Sequence, residues 1–279
     1  PTRMTTNRTL PLELAKLMNR LLCLIPLGVL LASPGGVRSD DDLDRILKTV
    51  PDWMNTVAVI DVKALNRSPR AIREKWAEKH QDEYLSGSIN IPPKASAVVL
   101  AGCLDPMTFP HSPVVGVTPV PASYDLKTMA EREGATLEQI GDSWGLLSSR
   151  RGYVFRVGTD FLAGTRTMPR QTLARWLRFA KSSDSVSMSP YLRGAVASRG
   201  DAQVVLAVDL QEMFDPVSVR LEVAAAGVGS EGGDALVRLL SGARGLTFTA
   251  TVAEATRGRL RIDFAGEAEP FKKSLQVLL

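Results

Sequence analysis

The stretch that decides the fold is Tyr153-Val154-Phe155-Arg156-Val157-Gly158-Thr159-Asp160-Phe161-Leu162-Ala163-Gly164-Thr165. Two short, mostly apolar runs flank the turn Gly158-Thr159-Asp160. Runs of this length joined by a glycine-containing turn are typical of a β-hairpin, whose strands pair antiparallel. This stretch therefore predicts an antiparallel sheet and argues against a parallel sheet wound by crossover helices.

Turns elsewhere in the chain predict further hairpins of the same kind. Arg150-Arg151-Gly152 joins the predicted strands 145–149 and 153–157. Thr256-Arg257-Gly258 joins two alternating apolar and polar strands at 246–252 and 259–264, as expected for a hairpin with one solvated face.

Helices are predicted where apolar residues recur at intervals of three and four positions. Ser68-Pro69 supplies an N-cap and a first-turn proline, and its helix is expected to bury Ile72, Trp76 and Tyr84. Another helix is predicted from about 169 to 181. Together the patterns predict an α+β fold of mostly antiparallel sheets with packed helices.

The order of elements near the start of the chain recurs further on. Val57–Val62 parallels Val205–Leu210, each an apolar strand containing an aspartate, with 148 positions between equivalent residues. Two interpretations stay open: a degenerate internal repeat, or chance, because apolar strands that end in aspartate are common. A repeat predicts two related α+β lobes, 39–181 and 189–279, joined by a Ser-rich linker at 182–188.

The first 38 residues have the order of a secretory signal. Basic side chains within 1–20 precede the uncharged run Leu21–Ala32, and small residues follow. This run is shorter than the about 20 apolar residues that a membrane-spanning helix needs. We expect an extracytoplasmic protein (secreted, periplasmic or anchored by an uncleaved N-terminal segment), with a buried core helix as the alternative interpretation. The uncapped, apolar Leu278-Leu279 end predicts a truncated C-terminus.

Charge and cysteine content restrict the classes of partner. The chain has 34 Lys and Arg and 30 Asp and Glu, and residues 1–38 hold five of the basic and one of the acidic residues, which leaves 29 of each. The basic pI of about 9.2 therefore belongs to the N-terminal segment, so no nucleic-acid partner is expected, and membrane contact only through that segment. Cys23 lies in the apolar run, and the remaining Cys103 is predicted to be a buried, inert thiol.

A glycine motif, Gly227-Val228-Gly229-Ser230-Glu231-Gly232, matches the G-x-G-x-x-G pattern of dinucleotide sites. The preceding alternation from Val217 to Val223 would have to be its strand. Glu231 and Asp234 place negative charge where a pyrophosphate needs positive potential. We reject Gly227, Gly229 and Gly232 as a cofactor site, favour a flexible loop, and predict no cofactor.

Two histidines are the only imidazole groups in the chain. His80 is explained by a position near a helix end, whereas His111 lies in the Pro-rich loop 105–113 with Asp105. His111 and Asp105 are the candidate catalytic pair of a hydrolase with a distant serine, although the G-x-S-x-G nucleophile elbow is absent. No metal site is predicted, because the Asp40-x-Asp42-x-Asp44 run lacks the glycine and closing glutamate of a calcium loop.

Several turns and caps resemble an uncharacterised family of secreted bacterial proteins of planctomycete type. The resemblance is carried by Val50-Pro51-Asp52 before Val59-Ile60-Asp61, Ser68-Pro69, Ile91-Pro92-Pro93, Pro169-Arg170-Gln171, Ser189-Pro190-Tyr191-Leu192, and Gly258-Arg259-Leu260 with Asp263-Phe264. It spans most of residues 45–279. The resemblance implies export and favours a role without catalysis, and it implies no ligand or catalytic residue.

The leading functional hypothesis is a non-catalytic binding or scaffold protein outside the cytoplasm, with an envelope protein or polymer as its partner. A secreted hydrolase that uses His111 and Asp105 is the alternative. The first hypothesis requires an exposed apolar patch or groove, and the second requires His111 in a cleft beside a carboxylate.

Overall fold

The computed structural model describes residues 39–86, 91–104, 114–121, 123–148, 152–165, 168–227, 229–266 and 268–278. The helices in these ranges are α1 (Ser39–Leu47), α2 (Val62–Asn66), α3 (Pro69–Arg73), α4 (Trp76–Leu85), α5 (Leu126–Glu133), α6 (Arg170–Ser182), α7 (Pro190–Ala197), α8 (Pro216–Ala225), α9 (Ser230–Gly242) and α10 (Ala268–Leu278). The strands are β1 (Thr56–Ile60), β2 (Val98–Gly102), β3 (Val114–Pro119), β4 (Thr136–Ile140), β5 (Ser143–Leu147), β6 (Tyr153–Val157), β7 (Phe161–Thr165), β8 (Val204–Asp209), β9 (Ala243–Val252) and β10 (Thr256–Phe264).

The ten strands of the described residues belong to one antiparallel sheet in the order β10-β9-β8-β1-β2-β3-β7-β6-β5-β4. The hairpin from β6 to β7 pairs Val157 with Phe161, and Gly158 in its turn adopts a φ of 61° that favours glycine. The α+β class and the antiparallel pairing predicted from the sequence are therefore confirmed.

One face of the sheet, here called the inner face, carries the main core. Val57, Val59 and Val99 point from neighbouring strands into a cluster with helices α1, α6 and α7. Trp176 of α6 is buried there, and its indole Nε1 donates to the Thr49 carbonyl at 3.0 Å. The hydrogen bond satisfies a polar group that burial would otherwise leave unpaired.

The opposite face, here called the outer face, has two helical covers, and α4 of one contacts α5 of the other through Tyr84 and Arg132. Helices α2, α3 and α4 pack over the β1 end near Ile60, through residues such as Leu65 and Trp76. Helix α5 packs Met129 over the strands β5, β6 and β7. The middle of the outer face lies between these two covers.

Two side-chain amides fix the ends of neighbouring strands in the same way. Asn55, just before β1, accepts from the Leu104 N–H at 2.7 Å and donates to the Leu104 carbonyl at 2.9 Å. Gln203, just before β8, accepts from the Val252 N–H at 2.7 Å and donates to the Val252 carbonyl at 3.5 Å. Each amide therefore hydrogen-bonds the backbone at the end of the neighbouring strand, just after β2 for Asn55 and at the end of β9 for Gln203.

The chain forms two compact units. The larger contains the described residues from 39 to 209 and from 245 to 261, and therefore most of the sheet. The smaller contains the described residues of 210–244 and 262–278, where Val219 and Val223 of α8 pack against Val237 of α9. Also in the smaller unit, the Phe264 and Phe271 rings stack with centroids 4.3 Å apart.

These boundaries differ from those of the predicted lobes. The predicted linker 182–188 lies inside the larger unit, where Met188 is buried in the main core. Strand β1 pairs directly with β8, so a single sheet joins residues 39–181 to residues 189–209. The division into two related lobes stays a prediction.

Two local predictions were wrong in detail, and one strand was missed. The helix predicted from Ser68 is interrupted at Lys75, whose φ of 53° separates α3 from α4 and leaves Ile72 exposed. The turn between β9 and β10 lies at 253–255, three positions before its predicted place. Strand β4 was not predicted.

The N-terminal 38 residues lie outside the described part of the chain. None of the helices that the structure describes combines the length and apolar character needed to cross a bilayer.

Candidate binding site

Most of the residues singled out from the sequence are not brought together in the structure. His111 and Asp105 lie outside the described residues, so the hydrolase hypothesis stays a prediction. Gly227, Gly229 and Gly232 lie where helix α8 leads into helix α9: Gly227 has a φ of 69°, Gly229 is the N-cap, and Gly232 is in the first turn. A helix therefore precedes the glycines, whereas a dinucleotide motif follows a strand.

His80 is fully buried in the middle of α4, whereas the sequence predicted a position near a helix end. Its Nε2 lies 2.8 Å from the Ile91 carbonyl oxygen, and because that oxygen can only accept, Nε2 carries the proton and donates. Burial lowers the pKa of His80 despite this hydrogen bond. The neutral ring therefore serves to anchor the chain near Ile91.

Cys103 is half-buried, and its Sγ donates to the Trp53 carbonyl at 3.1 Å. Burial raises the pKa of the thiol, so the reactive thiolate form is disfavoured.

A polar cluster joins helices α4 and α5, the two covers of the outer face. The hydroxyl groups of Tyr84 and Tyr124 are hydrogen-bonded to each other, and the Arg132 guanidinium lies 4.0 Å from the Tyr84 ring centroid. Arg132 also pairs with Glu133 at 2.6 Å. Burial raises the pKa of Tyr124, so its phenol stays protonated and acts as a hydrogen-bond donor rather than a base.

The arrangement most suited to binding is a line of side chains across the middle of the outer face. We call it the open row. It consists of six residues that are directly paired from strand to strand: Phe248, Leu206, Ala58, Leu100, Gly116 and Gly164. Every one of them is half-buried, although central strands of a sheet normally bury such residues on a covered face.

Two adjacent glycines form the floor at one end of the open row. A Cβ added at Gly164 would meet no atom within 4 Å, so the space above this residue is empty. A Cβ added at Gly116 would lie 2.9 Å from the Leu100 Cδ2, which shows that the Leu100 side chain leans over Gly116. The floor is therefore recessed at Gly164 and bordered by Leu100.

Both ends of this line have defined neighbours. Beyond Gly164 the next paired residue is Val154, which is buried beneath α5. At the other end Phe248 touches the backbone of Gly258, where an added Cβ would lie 2.9 Å from the ring. Six strands at about 4.8 Å spacing make the open row about 24 Å long.

No titratable or hydrogen-bonding side chain belongs to the open row. A ligand on the open row would gain binding free energy from the burial of apolar surface, at about 25 cal/mol per Å² of buried area. Sequence analysis missed this site because its members are glycines and ordinary strand residues. The continuous apolar runs of β1 and β8 predict buried strands, but only the strand pairing places Ala58 and Leu206 side by side in one half-buried line.

No family model matches the sequence, and no curated protein matches it either. Among solved structures the chain is similar to three crystal forms of TP0453. Form I has 10% identity and a TM-score of 0.46 over 84% of each chain. Form III has 12% identity and a TM-score of 0.46 over 84% of this chain and 86% of that chain. Form IV has 12% identity and a TM-score of 0.44 over 77% of this chain and 79% of that chain. Structural similarity at this level carries no argument about function.

Proposed function

We propose that this chain is an extracytoplasmic, non-catalytic binding protein that holds an elongated apolar ligand, or an apolar segment of a partner, along the open row. The observation that carries the proposal is the empty space above Gly164 at the end of a continuous line of half-buried apolar residues. Contiguous apolar surface left open between two helical covers is typical of interaction sites.

The composition of the open row favours holding a ligand over transforming it. Phe248, Leu206, Ala58 and Leu100 offer apolar contact, and the two glycines offer room. None of these side chains supplies a nucleophile, a base or a metal ligand. Affinity would come from apolar area and shape, so the ligand class is apolar and unbranched enough to lie along a narrow line.

The proposed location rests on the N-terminal sequence. A basic segment, a short apolar run and small residues support export of the protein. Expression with the native N-terminus followed by fractionation tests this: we expect the protein in the extracytoplasmic fraction, and recovery of the full-length chain in the cytosol would refute export.

We further propose that the strand pairs β1–β2 and β8–β9 are copies of one ancestral unit. Thr56 pairs with Gly102, and the residues 148 positions later, Val204 and Ala250, pair in the same register. The amide clamps of Asn55 and Gln203 are also 148 positions apart, as are the backbone groups that they bind. A shared register together with a shared clamp is more than the element order that first suggested a repeat.

This duplication also explains the symmetry of the open row. Ala58 and Leu206 are equivalent positions that face each other across the β1–β8 pair, and Leu100 and Phe248 are equivalent positions beside them. Duplication of one strand pair would then have doubled the length of the apolar line.

Binding of 1-anilinonaphthalene-8-sulfonate, measured by its fluorescence, tests the open row. Gly164→Leu places a side chain into the empty space, and because the φ of Gly164 is not positive, the backbone accepts it. We expect affinity to fall about tenfold, a loss of about 1.4 kcal/mol. Gly194→Leu is the matched control, because an added Cβ there also meets no atom within 4 Å but lies on the exposed side of α7.

A second variant separates blocking from unfolding. Leu206→Gln leaves the row open and makes its centre polar, so we expect weaker probe binding with an intact circular dichroism spectrum. Equal probe affinity for the wild type, Gly164→Leu and Leu206→Gln would overturn the proposed function.

A further inference from the structure

Strand β10 is an unusually exposed edge of the sheet. It is nine residues long, it is the last strand in the sheet order, and residues 256–262 are all exposed. An edge strand presents a row of backbone N–H and C=O groups that another strand can pair with. A long exposed edge is therefore a template for strand addition unless its side chains prevent it.

The side chains of β10 divide sharply between the two faces. Arg257, Arg259 and Arg261 alternate with Gly258 and Leu260, so the arginines share one face, with Asp263 near the end of the strand, and the small or apolar residues share the other. Leu260 is 58% exposed. Within the described residues no carboxylate pairs with Arg257 or Arg259, whereas the nearby Glu254 is already paired with Arg73.

This charge pattern discriminates between occupants of the edge. If a second copy of the chain added its own β10 antiparallel in a register centred on Arg259 or Leu260, Arg259 would lie opposite Arg259 or Arg261 of the other copy, and these like charges would repel each other. A strand with acidic side chains at alternate positions would instead place each carboxylate beside an arginine. Its intervening apolar side chains would cover Leu260.

We propose that β10 accepts an added β-strand from a partner protein, and that the partner strand alternates acidic and apolar residues. Backbone hydrogen bonds supply the affinity, and the arginine face selects the sequence. Helix α3 contacts the turn between β9 and β10. The Arg70 backbone N–H donates to the Ala253 carbonyl at 3.3 Å, and the Arg70 side chain donates to Thr256 Oγ1 at 3.3 Å. The proposal is independent of the open row.

Fluorescence polarisation with a labelled nine-residue peptide of alternating Glu and Val, added to the full chain, tests the inference. Three comparison peptides are needed: alternating Lys and Val, a block-scrambled Glu and Val peptide, and the alternating Glu and Val peptide with every backbone nitrogen methylated. We expect the unmodified Glu and Val peptide to bind about tenfold more tightly than each of the three.

Variants locate the contact on β10. Arg257→Glu combined with Arg259→Glu is expected to lower the affinity for the Glu and Val peptide at least about tenfold and to raise it for the Lys and Val peptide. Arg178→Glu, an exposed arginine on α6, is the control and should change neither. An unchanged thermal unfolding curve excludes loss of fold.

Three results would overturn the proposal. Equal binding of the methylated peptide would show that no strand is added. Equal binding of the scrambled peptide would show a general affinity for anions. Affinity for the Lys and Val peptide equal to that for the Glu and Val peptide would show that the arginines do not select the partner.

Discussion

His80 is a titratable residue that is fully buried in the larger unit. Because burial lowers its pKa, the folded protein binds fewer protons than the unfolded chain below the unfolded value of about 6.5. The stability that the neutral His80 side chain contributes is fully present above about pH 6.5 and is lost as the pH falls below that value. The free energy of unfolding then changes by up to about 1.4 kcal/mol per pH unit.

We expect His80→Gln to flatten this dependence, because the glutamine amide can donate toward Ile91 without titrating. Urea unfolding at pH 5, 6 and 7.5 measures the effect. The wild type should lose stability between pH 6.5 and 5, and the variant should lose less. A wild type and a variant with parallel pH profiles would show that His80 is not the group responsible.

At the scale of elements, the side-chain amides of Asn55, before β1, and Gln203, before β8, fix the backbone at the ends of the neighbouring strands β2 and β9. Asn55→Leu removes both hydrogen bonds to Leu104, a buried residue, and we expect a loss of about 1–3 kcal/mol. Gln203→Leu should cost less, because one of its two hydrogen bonds is 3.5 Å long and therefore weak. The midpoint of urea unfolding measures both.

The control for this pair is Gln171→Leu on α6, where the side chain is exposed. It removes an amide of the same kind without a strand-end contact, and we expect a change within about 0.5 kcal/mol. If Asn55→Leu cost no more than this control, the amide would have no part in fixing the strand ends.

Elements specified by local sequence were predictable, and those specified by distant contacts were not. The β6–β7 hairpin follows from two apolar runs and a glycine turn. The break at Lys75 was missed because a left-handed lysine carries no signal in apolar periodicity. Strand β4 lies at the other edge of the sheet and is mostly exposed, so it lacks the apolar alternation that marks a strand.

The candidate site shows the same limit more strongly. Ala58 and Leu206 are direct neighbours in the sheet and 148 positions apart in the chain, and no local pattern predicts their pairing. Gly116 and Gly164 acquire meaning only as adjacent members of one row. The expectation of an apolar patch came from reasoning about function, whereas its position required the fold.

At the scale of the larger unit, one sheet and one core hold together segments on both sides of the Ser-rich stretch. Five residues of β1 pair with β8, and Leu192 and Val196 of α7 belong to the same core cluster as Leu43 of α1 and Leu173 of α6. Within the stretch itself, Val186 packs against that cluster, and the Ser183 hydroxyl donates to the Ser185 carbonyl at 2.9 Å. Covalent continuity at 182–188 is therefore not what keeps the two segments associated.

We accordingly expect that cutting the chain between Asp184 and Ser185 leaves a stable complex. Both residues are exposed, so an inserted recognition site for a sequence-specific protease would be accessible there. The cleaved protein should run as two fragments on a denaturing gel and as one species on size exclusion, because separation would expose the buried Ala207 and Val57 faces of the shared sheet. A Val57→Pro variant, which removes a backbone donor that β1 directs toward β8, should weaken that association. Fragments that elute separately without denaturant would instead show that the two predicted lobes fold independently of each other.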